Sequence, residues 1–146
     1  MKPLKIKPVG AVPRTLRRPR IDWEGQQQAQ LFGILKIKHP EFYRNAYHVP
    51  NGGHRHKATA GKMRAQGVKA GVSDIAVTLA RGGWFGLYIE FKAAPPNDSA
   101  VSPEQNAFIL RVEQQGYYAT VCRGVEEALR VIEWYLALPQ TQVVRP

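Results

Sequence analysis

A chain of 146 residues is one domain's worth, long enough to bury a hydrophobic core, and its apolar share of 44% is ordinary for a globular protein. A formal charge of +10 points to a polyanionic partner, although the excess is mostly a tail: residues 1–21 hold seven Lys or Arg and no acid, and the remainder sets fourteen bases against eleven acids. A single cysteine excludes an internal disulfide, no apolar run approaches the ~18 residues of a membrane span, and the basic start lacks the apolar core of a secretory signal, so a soluble, cytoplasmic protein is expected.

Residues 1–21 carry Pro3, Pro8, Pro13 and Pro19 among scattered bases, a composition that resists helix and adds little to a core. They read as an irregular basic arm, free to lie along DNA or a partner subunit. At Asp22 a helix is predicted, with Asp22 as cap and Ala29, Leu31, Ile34 and Leu35 at near-helical spacing, stopped at His39-Pro40. Glu24 falls in its first turn, where the helix dipole alone would favour an acid, and Gln28 lies one turn later on the same side. Phe42 to Val49 reads as a strand ending in the turn Pro50-Asn51-Gly52-Gly53. The following His54-Arg55-His56-Lys57 contains a His-x-His pair that suits zinc, but no further Cys or His cluster completes such a site, so phosphate contact is the expectation. Ala58 to Gln66 is a predicted helix, with Lys62 and Arg64 on different sides. Arg55, Lys57, Lys62, Arg64 and Lys69 thus occur in a stretch without a carboxylate between Glu41 and Asp74, and are the expected nucleic-acid contacts.

Residues 71–92 are the organising stretch. Apolar and β-branched runs on either side of Arg81-Gly82-Gly83 predict an antiparallel hairpin, in which side chains alternate faces. Glu90 and Lys92 then share a face, and pairing brings Asp74 opposite Glu90. Two carboxylates and an ammonium in one small volume call for a hard divalent cation, because like charges at close range raise each other's pKa and Mg2+ prefers oxygen ligands. Ala93 to Val101 reads as a flap-like linker, Ser102-Pro103-Glu104-Gln105 as a capping box that opens a helix running to Gln115-Gly116, Tyr117 to Cys122 as a strand, and Glu126 to Leu138 as a last helix. Cys122 is expected to be a buried thiol, and Trp84 in the hairpin loop to be buried. The order helix, strand, helix, two strands, helix, strand, helix predicts an α/β fold, a mixed central sheet flanked by helices, over 22–138, with 139–146 as a tail.

The Asp74, then Glu90-x-Lys92, arrangement resembles the PD-(D/E)XK nuclease superfamily, with Ser73 where that name has proline. The run Ala60 to Asp74, followed by Ile89-Glu90-Phe91-Lys92, Ser102-Pro103-Glu104-Gln105 and Gly116-Tyr117, resembles the stand-alone VRR-Nuc domain from about Glu24 to Leu138. The resemblance implies a restriction-endonuclease-like core, Mg2+ or Mn2+ as cofactor, and catalytic roles for Asp74, Glu90, Lys92, Gln105 and Glu24. Asp74, Glu90 and Glu24, with the Phe91 carbonyl, would contact the metal. It further implies DNA cleavage, on branched structures such as the Holliday junction, by a homodimer. A compact stand-alone domain of this kind suggests a bacterium or its phage. A general or nicking endonuclease is the nearest rival within that class. A DNA-binding module that keeps the fold without turnover is the rival outside it, disfavoured because all four motif residues are present.

Overall fold

Asp22 turns the chain into its first helix: its carboxylate accepts the Gly25 amide at 2.9 Å, satisfying one of the donors left open at a helix start. In the computed structural model the described residues are 19–50 and 57–146, so most of the predicted arm and the His54, Arg55 and His56 positions lie outside the description. Helix α1 spans Trp23–Lys38, with Glu24 in the first turn and Lys36 and Lys38 in the last, the charges its dipole favours at each end. Leu31 and Leu35, one turn apart, are fully buried.

The strand expected from Phe42 is corrected. Pro40 does end α1, but it also opens a second helix, α2, Pro40–Asn45, because proline's fixed φ suits the first helical position and its missing N–H costs nothing there. Only Ala46–His48 is extended, as β1. The chain continues through α3 (Lys57–Ala65), β2 (Ile75–Val77), β3 (Leu87–Lys92), α4 (Pro103–Gln114), β4 (Tyr118–Arg123) and α5 (Val125–Ala137).

The four strands form one sheet in the order β1-β2-β3-β4. The first two pairings are antiparallel and the last is parallel, so the sheet is mixed. Alternation gives each face a distinct task. Ile75, Val77, Leu87, Ile89, Phe91 and Cys122 point to one face, where Leu31, Leu35 and Phe42 meet Ala128, Ile132 and Tyr135 of α5. Each large side chain withdrawn there from water contributes about 1.5–3 kcal/mol. The buried Tyr135 hydroxyl donates to the Leu79 carbonyl at 2.7 Å, so its polar end is satisfied. On the other face α4 covers β3, with Phe108 edge-on to Tyr88 at 5.2 Å. The Cys122 thiol is buried, and burial pushes its pKa up to about 12. Trp84 is half-buried against Tyr118.

Two connecting segments are more firmly held than their compositions predict. The stretch after β3, expected as a flap, is tied by the Ala94 amide to Gln27 Oε1 at 2.7 Å and by Asp98 to Arg123 at 3.1 Å. The segment expected as a C-terminal tail starts as a stitch: Gly82 donates to the Pro139 carbonyl at 2.7 Å, and the Thr141 hydroxyl donates to the Trp84 carbonyl at 2.8 Å. No helix of the described residues is long and apolar enough to cross a membrane.

Gly71 sets the distance between the hairpin and α4. Its φ is +80°, and a Cβ built there would lie 2.5 Å from the Glu104 carbonyl carbon and oxygen. Gly71→Ala should therefore cost about 2 kcal/mol or more through strain and backbone displacement, read as a lowered midpoint in a urea melt; an unchanged midpoint would show that α4 is free to move away.

Candidate active site

The hairpin register pairs Ile75 with Ile89, so one residue further along Asp74 faces Glu90. Asp74 sits where β2 begins, and the Phe91 amide donates to its Oδ2 at 2.9 Å. This is the atom of Phe91 that the structure brings to Asp74; the resemblance implied its carbonyl. Glu90 is completely buried. Its Oε1 receives the Lys92 ammonium at 3.0 Å and the Gln105 side-chain amide, and its Oε2 has no hydrogen-bond partner.

A buried carboxylate oxygen left without a donor is costly, and this one stands beside a second carboxyl. Burial first, then the Asp74 charge, raise the Glu90 pKa to about 7, although Lys92 pulls the other way. Such a donor set fits a divalent cation, which would neutralise both acids and give the orphaned oxygen a partner. Among the described residues no group of three or more His, Cys, Asp and Glu is arranged to hold a metal by itself. The protein's share of such a site would be the Asp74 and Glu90 pair, since Mg2+ commonly completes one or two carboxylates with water and substrate oxygens.

Glu24 comes to this site from the first turn of α1. Its pKa is raised, chiefly by burial, against the attraction of Lys92, with the Asp74 and Asp22 charges adding to the rise. It therefore lies within the field of both Asp74 and Lys92, a placement that a dipole-stabilised surface acid would not need. Gln105 does two jobs at once. Its backbone N–H donates to the Ser102 hydroxyl at 3.1 Å and its side-chain oxygen accepts the Ser102 N–H at 2.8 Å, which closes the capping box. The same oxygen accepts from Lys92 at 3.3 Å while the side-chain nitrogen donates to Glu90. The cap fixes the rotamer that reaches the acid.

The surface over this cluster is a set of connected clefts. One of about 670 Å3 is lined by Glu24, Gln28, His48 and Asp74, and a second of about 340 Å3 by Glu24, Gly71, Asp74 and Gln105. Glu90 and Lys92 line neither; they form the buried floor. His48 went unnoticed in the sequence. Its Nδ1 lies 2.8 Å from Gln28 Nε2 and 3.0 Å from the Asp74 carbonyl, so it braces the turn that presents Asp74. Only the three-dimensional pairing of β1 with β2 brings His48 opposite Ile75, and no local motif announces it.

The basic residues do not line these two clefts. Lys57, Lys62 and Arg64 stand on α3, which buries none of its residues, and Lys69 follows it just before the loop that lines the smaller cleft. All four are exposed, and none forms an ion pair among the described residues. Arg55 lies outside the described residues.

The sequence model of the VRR-NUC domain matches residues 22–126. A solved structure described as a VRR_NUC domain protein superposes with a TM-score of 0.73 at 27% identity, covering 87% of this chain and 98% of that one. No curated protein matches.

The raised Glu90 pKa predicts a pH dependence. A carboxyl whose pKa lies higher folded than unfolded binds its proton more tightly in the native state, so metal-free stability declines as pH rises from the unfolded value of about 4.5 towards the folded value of about 7. The melting temperature in EDTA should fall across that window, and Glu90→Gln should flatten the fall; a variant that tracks the parent would assign the titration elsewhere.

Proposed function

The chain belongs to the VRR-NUC family of nuclease-type domains, and we propose that it is a DNA endonuclease that hydrolyses phosphodiester bonds with a divalent metal ion, Mg2+ or Mn2+, and selects branched DNA. The observation that carries this reading is the pairing of Asp74, which lines both clefts, with the buried Glu90 beneath it, one of whose carboxylate oxygens has no partner. Asp74 and Glu90 would hold the ion, the Phe91 carbonyl is a further candidate contact, and Glu24 would reach it through water. When bound, such an ion offsets charge on the scissile phosphate and acidifies water.

The chain's own groups do the rest. The Phe91 amide fixes the orientation of Asp74, and Gln105 fixes Glu90. An ammonium has three N–H donors, of which Lys92 commits two, to Glu90 and Gln105. We assign Lys92 the charged role: it balances the acids from below and stabilises negative charge as it develops on the phosphate. Gln105 holds that ammonium and lies at the edge of the smaller cleft, where it can also orient the attacking water.

Shape selection is supported by the clefts that meet at Glu24, since a branch must send strands away from the cut in more than one direction. The unpaired bases of α3 and Lys69 would take phosphates without reading sequence. A homodimer would place two such sites on the two strands of a junction.

The test is cleavage of labelled four-way junction, flap, single strand and linear duplex in Mg2+ and Mn2+. We expect the branched substrates to be cut fastest and Asp74→Ala or Glu90→Ala to cut nothing while still binding DNA. Cleavage that persists in either variant with unchanged metal dependence would move the site. For Lys92→Ala we expect turnover to drop at least about 100-fold, with a smaller change in the metal concentration needed for half-maximal rate; the opposite split would make Lys92 a structural support for the metal pair.

A further inference from the structure

We infer that Trp23 is a stacking platform for an unpaired nucleobase of the strand being cut. Trp23 is the first residue of α1, next to Glu24, and is 41% exposed; Ile21, just before the cap, is 54% exposed. Neither exposure has a structural explanation in the helix start. A hydrophobic residue before an N-cap usually packs on the fourth helical residue, but here that position is Gln26. Among the described residues Trp23 makes no ring contact and stands outside the hydrophobic core.

What Trp23 does line is a third cleft, about 990 Å3, shared with Arg20, Ile21, Pro96 and Glu24. Glu24 is common to this cleft and to both clefts that hold Asp74, so the indole stands one residue from the proposed cutting site. The occupant is set by the chemistry of these walls. In a lining that also holds Asp22, Glu24, Asn97, Asp98 and Ser99, the indole with isoleucine and proline is the apolar part and offers flat surface to a neutral ring, and Arg20 is the one base beside it. Of the cleft's other acids, Asp98 pairs with Arg123 at 3.1 Å, while Asp22 keeps its charge as it accepts the Gly25 amide at 2.9 Å, so the apolar ring contact and not phosphate attraction carries the binding. A base inside a duplex is stacked on its neighbours and presents no free face. The partner is therefore an unpaired nucleotide, which branches and flaps supply beside the cut.

This inference rests on the nuclease reading for its choice of ligand, so the test separates the two. Fluorescence anisotropy in EDTA, with a labelled single strand and a labelled duplex, should show Trp23→Ala weakening the single-strand Kd about ten-fold and the duplex Kd less than about two-fold, with Trp23→Phe close to the parent. Single-strand binding should also quench tryptophan emission in the parent, and the quench should be lost in Trp23→Phe, which keeps a stacking ring and the fold. Equal weakening on both DNAs, no weakening at all, or a quench that survives in Trp23→Phe would overturn the platform. A chain that binds through Trp23 yet cuts no DNA in Mg2+ or Mn2+ would overturn the nuclease reading and uphold this one, whereas cutting with no Trp23 effect would do the reverse.

Discussion

The structure depends on keeping two acids together where neither can be fully hydrated. Asp74 and Glu90 face each other across a hairpin, and Glu90 is buried with one oxygen unpartnered. Left alone, such a pair destabilises the fold, since burial and mutual repulsion act in the same direction. Nearly every polar contact around them offsets that repulsion: the Lys92 ammonium, the Gln105 amide and the Phe91 N–H each donate to one of the two carboxylates. The remaining unpartnered oxygen marks the place where the protein's own donors run out and where the proposed cation would sit.

Rigid elements hold this arrangement rather than loops. Glu90 and Lys92 lie on a strand paired on both sides, to β2 and to β4, so neither backbone can shift without breaking a ladder. Gln105 is clamped by a helix cap whose geometry is set before any substrate arrives. Even the stretch after β3, whose composition suggested mobility, is tied back to α1 and β4. Preorganised donors of this kind need little rearrangement when charge moves during reaction.

Period-two alternation and local capping chemistry made the centre of the fold legible. The pattern Glu90-x-Lys92 fixed which residues share a face, and Ser102-Pro103-x-Gln105 fixed where α4 starts, because both depend only on neighbours in the chain. Gln105 also shows that two explanations of one residue need not compete: the cap and the active-site contact use the same side chain. What escaped was non-local or locally ambiguous. Phe42 to Asn45 has aromatic character that favours a strand, yet Pro40 at a helical first position and burial of Phe42 against α1 decide for helix. His48 acquires its meaning only when β1 pairs with β2, and Trp23 only when its exposure is seen beside Glu24.

Charge separates the two halves of the task. Glu24, Asp74 and Glu90 outnumber Lys92 at the centre, so ionised acids there repel an incoming phosphate. The exposed bases stand elsewhere, on α3, at Lys69 and at Arg20. Attraction of a polyanion by exposed bases is long-range and falls with salt, while charges at a buried centre are screened far less. A divalent cation bound between Asp74 and Glu90 would cancel the excess of acid at the centre, so that it no longer repelled a phosphate. On the proposed reading, binding and cutting would therefore be set by different residues under different control, the first by ionic strength and the second by metal and by the protonation of Glu90.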